Sequence, residues 1–564
     1  MEKINREDIS NLSDETLLSL YKDNDSYVKR ASSQRYVEYN IIDVELLDKI
    51  NKKRKLIELI ISVAYFSKSN FDDIMSPIKT WDNFIYNHLN KQYIVIPPRN
   101  QKVPDFHVPG GYVKTDVIPG IYRDVISLDL KSLYPSLAIT LNISPDTLIE
   151  EDNVDVNLSK IDDKILKRKY DHKEDLVLTG SGWKYKKDKQ GFYPALFQFL
   201  LDTRDKVKKQ KIELDKDIQK FKGSEEDKKI LTDEFSNLHT FEQAIKLLSN
   251  SGYGILANKH CRYFDPRLAA SITLSGQLAI KTASDVVENY LREKHNKENS
   301  LVFTHTDSCL MCLDNVVEGV DVIDNFCDKV LGPLIKDAYT ELCSYLNAYD
   351  NLLIMKREKI CSHFMISAPS RYACLVVDKE GVRYKEPKLE ITGMEIVRSS
   401  TPKIIKPYLK ETLVRMMKDQ DVSGYVDQTK KEFMKMKPEE IAFPRSANNL
   451  NKWVNPDGSF VSGTPIAVRA AHIYNNFINM NEIEDYGKIV EGNKIKFIYL
   501  KRPNPFFNSH VVGFIRRFLG NGDLNNFVDY KTQFDKVYLD VINSIATNVG
   551  FKIDKDQISL EDLF

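Results

Sequence analysis

Two acids far apart in this 564-residue chain each close an apolar, strand-forming run: Asp124-Val125-Ile126-Ser127-Leu128-Asp129, and Leu301-Val302-Phe303 followed by Thr304-His305-Thr306-Asp307. Between them, from about 190 to 258, the periodicity is helical, with a break near Gly223-Ser224 that predicts an antiparallel helical hairpin. Strands before and after a helical insertion constrain the chain to a mixed α/β core with the hairpin projecting from it. A second, mostly separate α/β unit follows.

Residues 1–65 read as mainly helical, with a strand-like break at Gln34-Arg35-Tyr36-Val37-Glu38-Tyr39-Asn40. Pro, Gly and Val mark 92–125 as loops and short strands. Strand signals return at Tyr372-Ala373-Cys374-Leu375-Val376-Val377, and 400–450 reads as helical from a cap at Ser400-Thr401-Pro402. No apolar run is long enough to span a bilayer, and the first residues do not form a signal peptide. Seven cysteines, an odd number in a large chain, indicate a reducing compartment. Basic and acidic residues balance at 81 each, so net charge does not identify a polyanionic partner. The Lys-rich run from Arg204 to Lys211 reads first as a solvated helix face. Cys309-Leu310-Met311-Cys312 is a lone C-x-x-C without a second pair, and reads as core.

Asp129 precedes Leu130-Lys131-Ser132-Leu133-Tyr134-Pro135-Ser136. An acid at a strand end, followed by amides turning into a helix, can hold a divalent cation and cradle phosphate oxygens; it can equally be a helix cap. Lys246, Asn250 and Tyr253 stand at i, i+4 and i+7, on one helix face. Gly252 and Gly254 beside them fit close packing of something flat, such as a base pair, or else an ordinary glycine-ended helix. Asp307 lies at a predicted hairpin tip, facing the same side as His305. A carboxylate there, meeting Asp129 across a sheet, would make a site for two cations about 3.5–4 Å apart.

Taken in order, these stretches resemble the three polymerase signatures of the family B DNA polymerases, D-x-x-S-L-Y-P-S, K-x-x-x-N-S-x-Y-G and D-T-D-S. Ser76-Pro77-Ile78-Lys79-Thr80-Trp81-Asp82, Glu386-Pro387-Lys388-Leu389, Ser399-Ser400-Thr401-Pro402-Lys403 and the tail Ser559-Leu560-Glu561-Asp562-Leu563-Phe564 are similar to the replicative branch of T-even-like bacteriophages. The resemblance runs from about residue 34 to the end. It implies a right-hand architecture: an exonuclease-domain remnant (1–65), a linking segment (66–100), palm (101–190 and 259–393), fingers (191–258) and thumb (394–564).

It also implies template-directed DNA synthesis with two Mg²⁺ ions (or Mn²⁺), a primer–template duplex and deoxynucleoside triphosphates, in the cytoplasm of a bacterial host. Asp129 and Asp307 would hold the metals with the Leu130 carbonyl. The amides of Ser132, Leu133 and Tyr134 would hold the triphosphate. The Tyr134 ring would exclude a 2′-hydroxyl. Arg204, Lys208 and Lys246 would neutralise phosphate charge, with Asn250 in support. Tyr253 and Gly254 would line the nascent base pair, and Arg371 and Tyr372 would grip the duplex.

Three positions depart from the pattern. His305 replaces the first acid of D-T-D-S, Pro369-Ser370 replaces two lysines before Arg371-Tyr372, and Val108-Pro109-Gly110-Gly111 lacks the usual Tyr. Together they predict an enzyme that is weakened or partner-dependent. The competing expectation is a catalytically degenerate subunit that binds DNA and a partner structurally. Tyr39 and Asp43 resemble the third proofreading motif alone, which predicts a split enzyme whose remaining nuclease acids come from a separate N-terminal chain. Gln557, Leu560, Leu563 and Phe564 resemble a sliding-clamp-binding peptide.

Overall fold

The computed structural model describes residues 25–98, 107–149, 175–483, 487–518 and 523–551. The clamp-like peptide, with Gln557, Leu560, Leu563 and Phe564, lies outside them. So does the segment between 150 and 174.

The described residues begin with helix α1 (Asp25–Arg54), which runs without interruption through the strand-like stretch 34–40. That expectation is overturned by local pairing. Gln34 donates to Glu38, and Lys49 and Lys52 pair with Glu45 and Asp48, all at i, i+4, which supports helix over strand despite Tyr36, Val37 and Tyr39. Tyr39 and Asp43 therefore stand one turn apart on an exposed helix. Helix α2 (Leu56–Ser67) follows, then α3 (Pro77–Asn90), with Pro77 in its first turn and Ser76 accepting from the Lys79 amide. One face of α3 buries Trp81, Phe84, Ile85 and Leu89.

Strand β1 (Gly120–Leu130) runs straight into α4 (Leu133–Thr140). A small β2 (Leu176–Leu178) and β3 (Lys184–Lys186) ladder precedes the helical hairpin, α5 (Phe192–Lys220) and α6 (Glu225–Leu256). Gly223-Ser224 falls between the two helices, and Ser224 caps α6 by accepting from the Asp227 amide. Helix α7 (Pro266–His295) is largely buried; the sequence reading did not anticipate it.

Then come β4 (Leu301–His305), β5 (Ser308–Cys312), β6 (Met355–Ala368), β7 (Arg371–Lys379) and β8 (Val382–Thr392). Together with β1 they form a six-stranded antiparallel sheet in the order β4-β5-β1-β6-β7-β8. Alternation along β1 sends Ile126, Leu128 and Leu130 into the core shared with α4–α7, and leaves Val125, Ser127 and Asp129 on the opposite face.

A second core begins at Met365 and Ala373 and continues into the C-terminal unit. There a three-stranded sheet, β9 (Phe443–Ser446), β10 (Lys494–Tyr499) and β11 (Val511–Phe514), packs on helices. The helix expected from Ser400-Thr401-Pro402 starts later, at Lys406, because the Thr401 hydroxyl donates back to the Glu395 carbonyl instead of capping. Nor is 400–450 all helix, since β9 lies within it. All seven cysteines are buried and free. Among the described residues, no helix is long and apolar enough to cross a membrane.

Candidate active site

Asp129 pairs with Ser308 on β5 and Lys356 on β6, so the last turn of β1 meets the tip of the β4–β5 hairpin. His305 pairs with Ser308, which makes Thr306-Asp307 the two-residue turn itself. Asp307 is thus not a strand residue, and the expected alternation with His305 does not set its direction. The tip is fixed in another way: the Leu130 amide donates to the Asp307 carbonyl at 2.7 Å. Thr306 takes a positive φ of 23°. Behind it lies Gly111, where a Cβ would come within 2.7 Å of the Thr306 methyl. Val113 bridges to His305, and Lys114 donates to Thr304. The Gly110–Lys114 segment therefore braces the hairpin that presents Asp307. Gly111→Ala is expected to displace the Thr306-Asp307 turn and lower turnover about ten-fold, with a small loss of thermal stability. An unchanged rate would refute the brace.

The two carboxyls are half-buried together. Burial, then Asp307, then Glu358 push the Asp129 carboxyl up to about 7. Burial also raises Asp307, against a smaller lowering by His305. Among the described residues neither side chain forms an ion pair, so this pair of acids is short of positive charge. That shortage suits a divalent cation. Glu358 escaped the sequence reading. It sits where β6 shifts register against β1 between Ser127 and Leu128, and a bulge there turns it toward Ser127 Oγ at 3.4 Å. Its only signal was an acid inside the charged run Met355-Lys356-Arg357-Glu358-Lys359 ahead of an apolar strand.

At the entrance to α4, Ser132 takes φ 50° and its side chain makes no cap. The amides of Ser132, Leu133 and Tyr134 donate to no described residue. Instead of capping the helix, Asp129 faces Asp307. Tyr134 lies against Tyr253, with ring centroids 4.6 Å apart at 40°, and burial followed by Tyr253 and Asp307 pushes its hydroxyl up to about 12. α6 thereby comes over the acids.

Lys246 and Asn250 are exposed on α6. Gly252 does not serve a flat ligand: a Cβ there would lie 2.6 Å from Trp81 and 2.7 Å from Phe197, so its role is close packing inside the protein. Gly254 is different, because nothing lies within 4 Å of its Cβ position.

Arg204 and Lys208 lie along α5. Arg204 Nε is 3.7 Å from Glu242 on α6, an acid the sequence reading passed over. Lys131, just past Asp129, reaches Asp205 on α5 at 2.8 and 3.1 Å. That pair is roughly half-exposed and contributes about 0–1 kcal/mol.

Arg371 and Tyr372 are not part of this cluster. They begin β7, two strands from β1; Arg371 pairs with Glu395, and Tyr372 stacks on Phe364 at 5.1 Å. Tyr39 and Asp43 also stand apart, on α1.

Residues 81–452 match a sequence profile described as DNA polymerase family B. The chain is similar to the DNA-directed DNA polymerase of Enterobacteria phage T4, at 30% identity over 95% of this chain and 66% of the relative. It is equally similar to that of Escherichia phage RB69, at 30% identity over 96% and 66%. DNA polymerase 1 of Pyrococcus abyssi (strain GE5 / Orsay) is 28% identical over 59% of this chain and 35% of its own length. The chain thus spans 66% of the length of the phage relatives it matches.

Proposed function

The chain belongs to DNA polymerase family B, and on that footing we propose that it is a template-directed DNA polymerase extending a primer 3′-hydroxyl with deoxynucleoside triphosphates. The carrying observation is the under-neutralised pair Asp129 and Asp307, set beside the free amides of Ser132–Tyr134 and under the cation-bearing α5–α6 hairpin. In this reading the six-stranded sheet is the palm, α5–α6 the fingers and the unit after 394 the thumb.

Asp129, Asp307 and the Leu130 carbonyl would hold two Mg²⁺ or Mn²⁺ ions, whose chemistry is to acidify the attacking hydroxyl and offset charge on the departing pyrophosphate. The chain's own part is positioning. Amides of the α4 entrance receive phosphate oxygens, and Arg204, Lys208 and Lys246 neutralise them with Asn250 in support. Tyr134, backed by Tyr253, presents a rigid ring beneath the sugar that rejects a 2′-hydroxyl. The open space at Gly254 leaves room for the nascent base pair. Arg371 and Tyr372 would meet the duplex farther along the sheet.

Primer extension by the purified chain in Mg²⁺ tests this, with Asp129→Ala as the paired control. Synthesis that disappears in the variant is the expected result; no synthesis under any divalent cation would sink the reading.

Two further partners belong to this proposal. α1 is a largely polar helix that nonetheless exposes Val37, Ile41, Val44 and Leu47, and such an exposed apolar row ordinarily lies against another protein surface. We assign it to contact with a nuclease portion to which Asp43 would contribute. Residues 1–564 alone are then expected to leave single-stranded DNA intact. The terminal Leu560, Leu563 and Phe564 are assigned to a sliding clamp; deletion of the last eight residues should abolish clamp stimulation and spare basal synthesis.

A further inference from the structure

The α5–α6 hairpin holds a buried acid that the reaction outlined above does not use. Glu242 stands one turn before Lys246 on α6, with its side chain only 6% exposed. It faces α5, where Lys211 closes on one carboxylate oxygen and Arg204 Nε lies 3.7 Å from the other. Arg204 and Lys211 are seven residues apart, and Lys208 lies between them on the same side of α5. Burial alone would raise the Glu242 carboxyl. Lys211, then Arg204 and Lys208, outweigh burial and hold it below the usual carboxylate range, so the group is an anion.

Arg204 is the informative partner. Its Nε is buried and makes no hydrogen bond within the protein, since 3.7 Å exceeds hydrogen-bonding reach. No described residue bonds its terminal nitrogens either. A guanidinium offers two edges to anions, one through Nε and one through the terminal pair. Here a fixed carboxylate stands near the first edge and leaves the second free. Lys211, by contrast, bonds Glu242 directly inside the hairpin.

We propose that Glu242 is a positioning residue for nucleotide binding. Anchored by Lys211, its carboxylate steers the Nε edge of Arg204, so that the terminal nitrogens stay presented to the triphosphate of the incoming nucleotide. This rests on the reading that Arg204 binds that triphosphate, and it adds an anion beneath the cations. An acid so close to a polyanion site would otherwise weaken it. Burial and the Lys211 partner confine its field to the hairpin interior.

A bland alternative is that Glu242 merely ties α5 to α6. Steady-state kinetics with a deoxynucleoside triphosphate on a primer–template separate the two roles. Glu242→Gln is expected to raise the KM for the triphosphate about ten-fold while kcat stays within about two-fold, the mark of lost binding rather than lost chemistry. In an Arg204→Ala background the same change should add less than about two-fold, because the group it steers is gone. Equal effects in both backgrounds, or an unchanged KM in the single variant, overturn the proposal. An Arg204→Ala variant with normal KM instead overturns the triphosphate reading, which is a different outcome.

Should Glu242→Gln fail to fold, Lys211→Met decides the matter. It removes the anchor of the Glu242 carboxylate, so KM should rise several-fold with kcat nearly unchanged, and the rise should vanish in an Arg204→Ala background. The same rise in both backgrounds, or no rise at all, overturns the proposal.

Discussion

Asp307→Asn is expected to slow primer extension on the order of 10³-fold, because one of two carboxylates that share the cation load becomes neutral. Charge stabilisation by a correctly held cation is worth several kcal/mol, and each 1.36 kcal/mol is about ten-fold in rate. A loss below ten-fold would show that the turn residue is peripheral. The same pair predicts a linked proton. With Asp129 pushed up to about 7 in the cation-free protein, much of it is protonated at pH 6. Cation binding must then expel that proton, so Mg²⁺ affinity should rise with pH up to about 7 and level off above it. Titrating Mg²⁺ into weakly buffered protein at pH 6 should release acid, and Asp129→Asn should release almost none.

Stability of the cation-free protein moves the other way. Asp129 has a folded pKa of about 7 against an ordinary 3.8, so the folded state binds the proton more tightly. Its contribution is present below about pH 3.8 and is lost as pH rises through 7. Asp307, also raised, acts in the same direction. His305 bears on this balance by partly lowering Asp307. His305→Asp should tighten cation binding by adding a negative charge at the tip. An unchanged Mg²⁺ dependence would remove the position from the site.

Much of this site was legible because it follows short-range rules. β1 and the β4–β5 tip were visible as apolar runs that end in acids, and the α5–α6 hairpin as helical periodicity with a Gly-Ser break. What stayed hidden depends on partners distant in sequence. Glu358 reaches the acids only because β6 slips register against β1, and a charged run gives no hint of a bulge. Glu242 looks like a surface residue until α5 is laid beside it. Tyr36, Val37 and Tyr39 carry strand preference, yet flanking i, i+4 pairs keep α1 helical. Gly252 and Gly254 looked alike in sequence, but one packs against Trp81 and the other faces open space.

Trp81→Ala is expected to destabilise the protein by about 3–5 kcal/mol, the range for emptying a fully buried aromatic site. Trp81 is 0% exposed. Its indole N–H reaches the Leu248 carbonyl at 3.1 Å and Ser251 Oγ at 3.0 Å, and its ring packs with Phe84, Tyr193 and Phe197. The next residue, Asp82, pairs with Arg262 at 2.8 Å, so α3 grips α6 and the segment just beyond it. Trp81→Phe should recover most of the packing and lose about 1 kcal/mol for the missing donor. Approached from the other side, Gly252→Ala drives a methyl into the same ring and should cost about 1–3 kcal/mol. If the Trp81 contact underlies part of both effects, Gly252→Ala should cost clearly less once Trp81 is alanine, because Phe197, also 2.7 Å from the methyl, can then shift into the cavity. Additive losses in a chemical-unfolding cycle would break that link. Lys246, Asn250 and Tyr253 project from the same turns of α6 that Trp81 holds. The loosened variants should therefore also bind the incoming nucleotide more weakly, with KM rising before kcat falls.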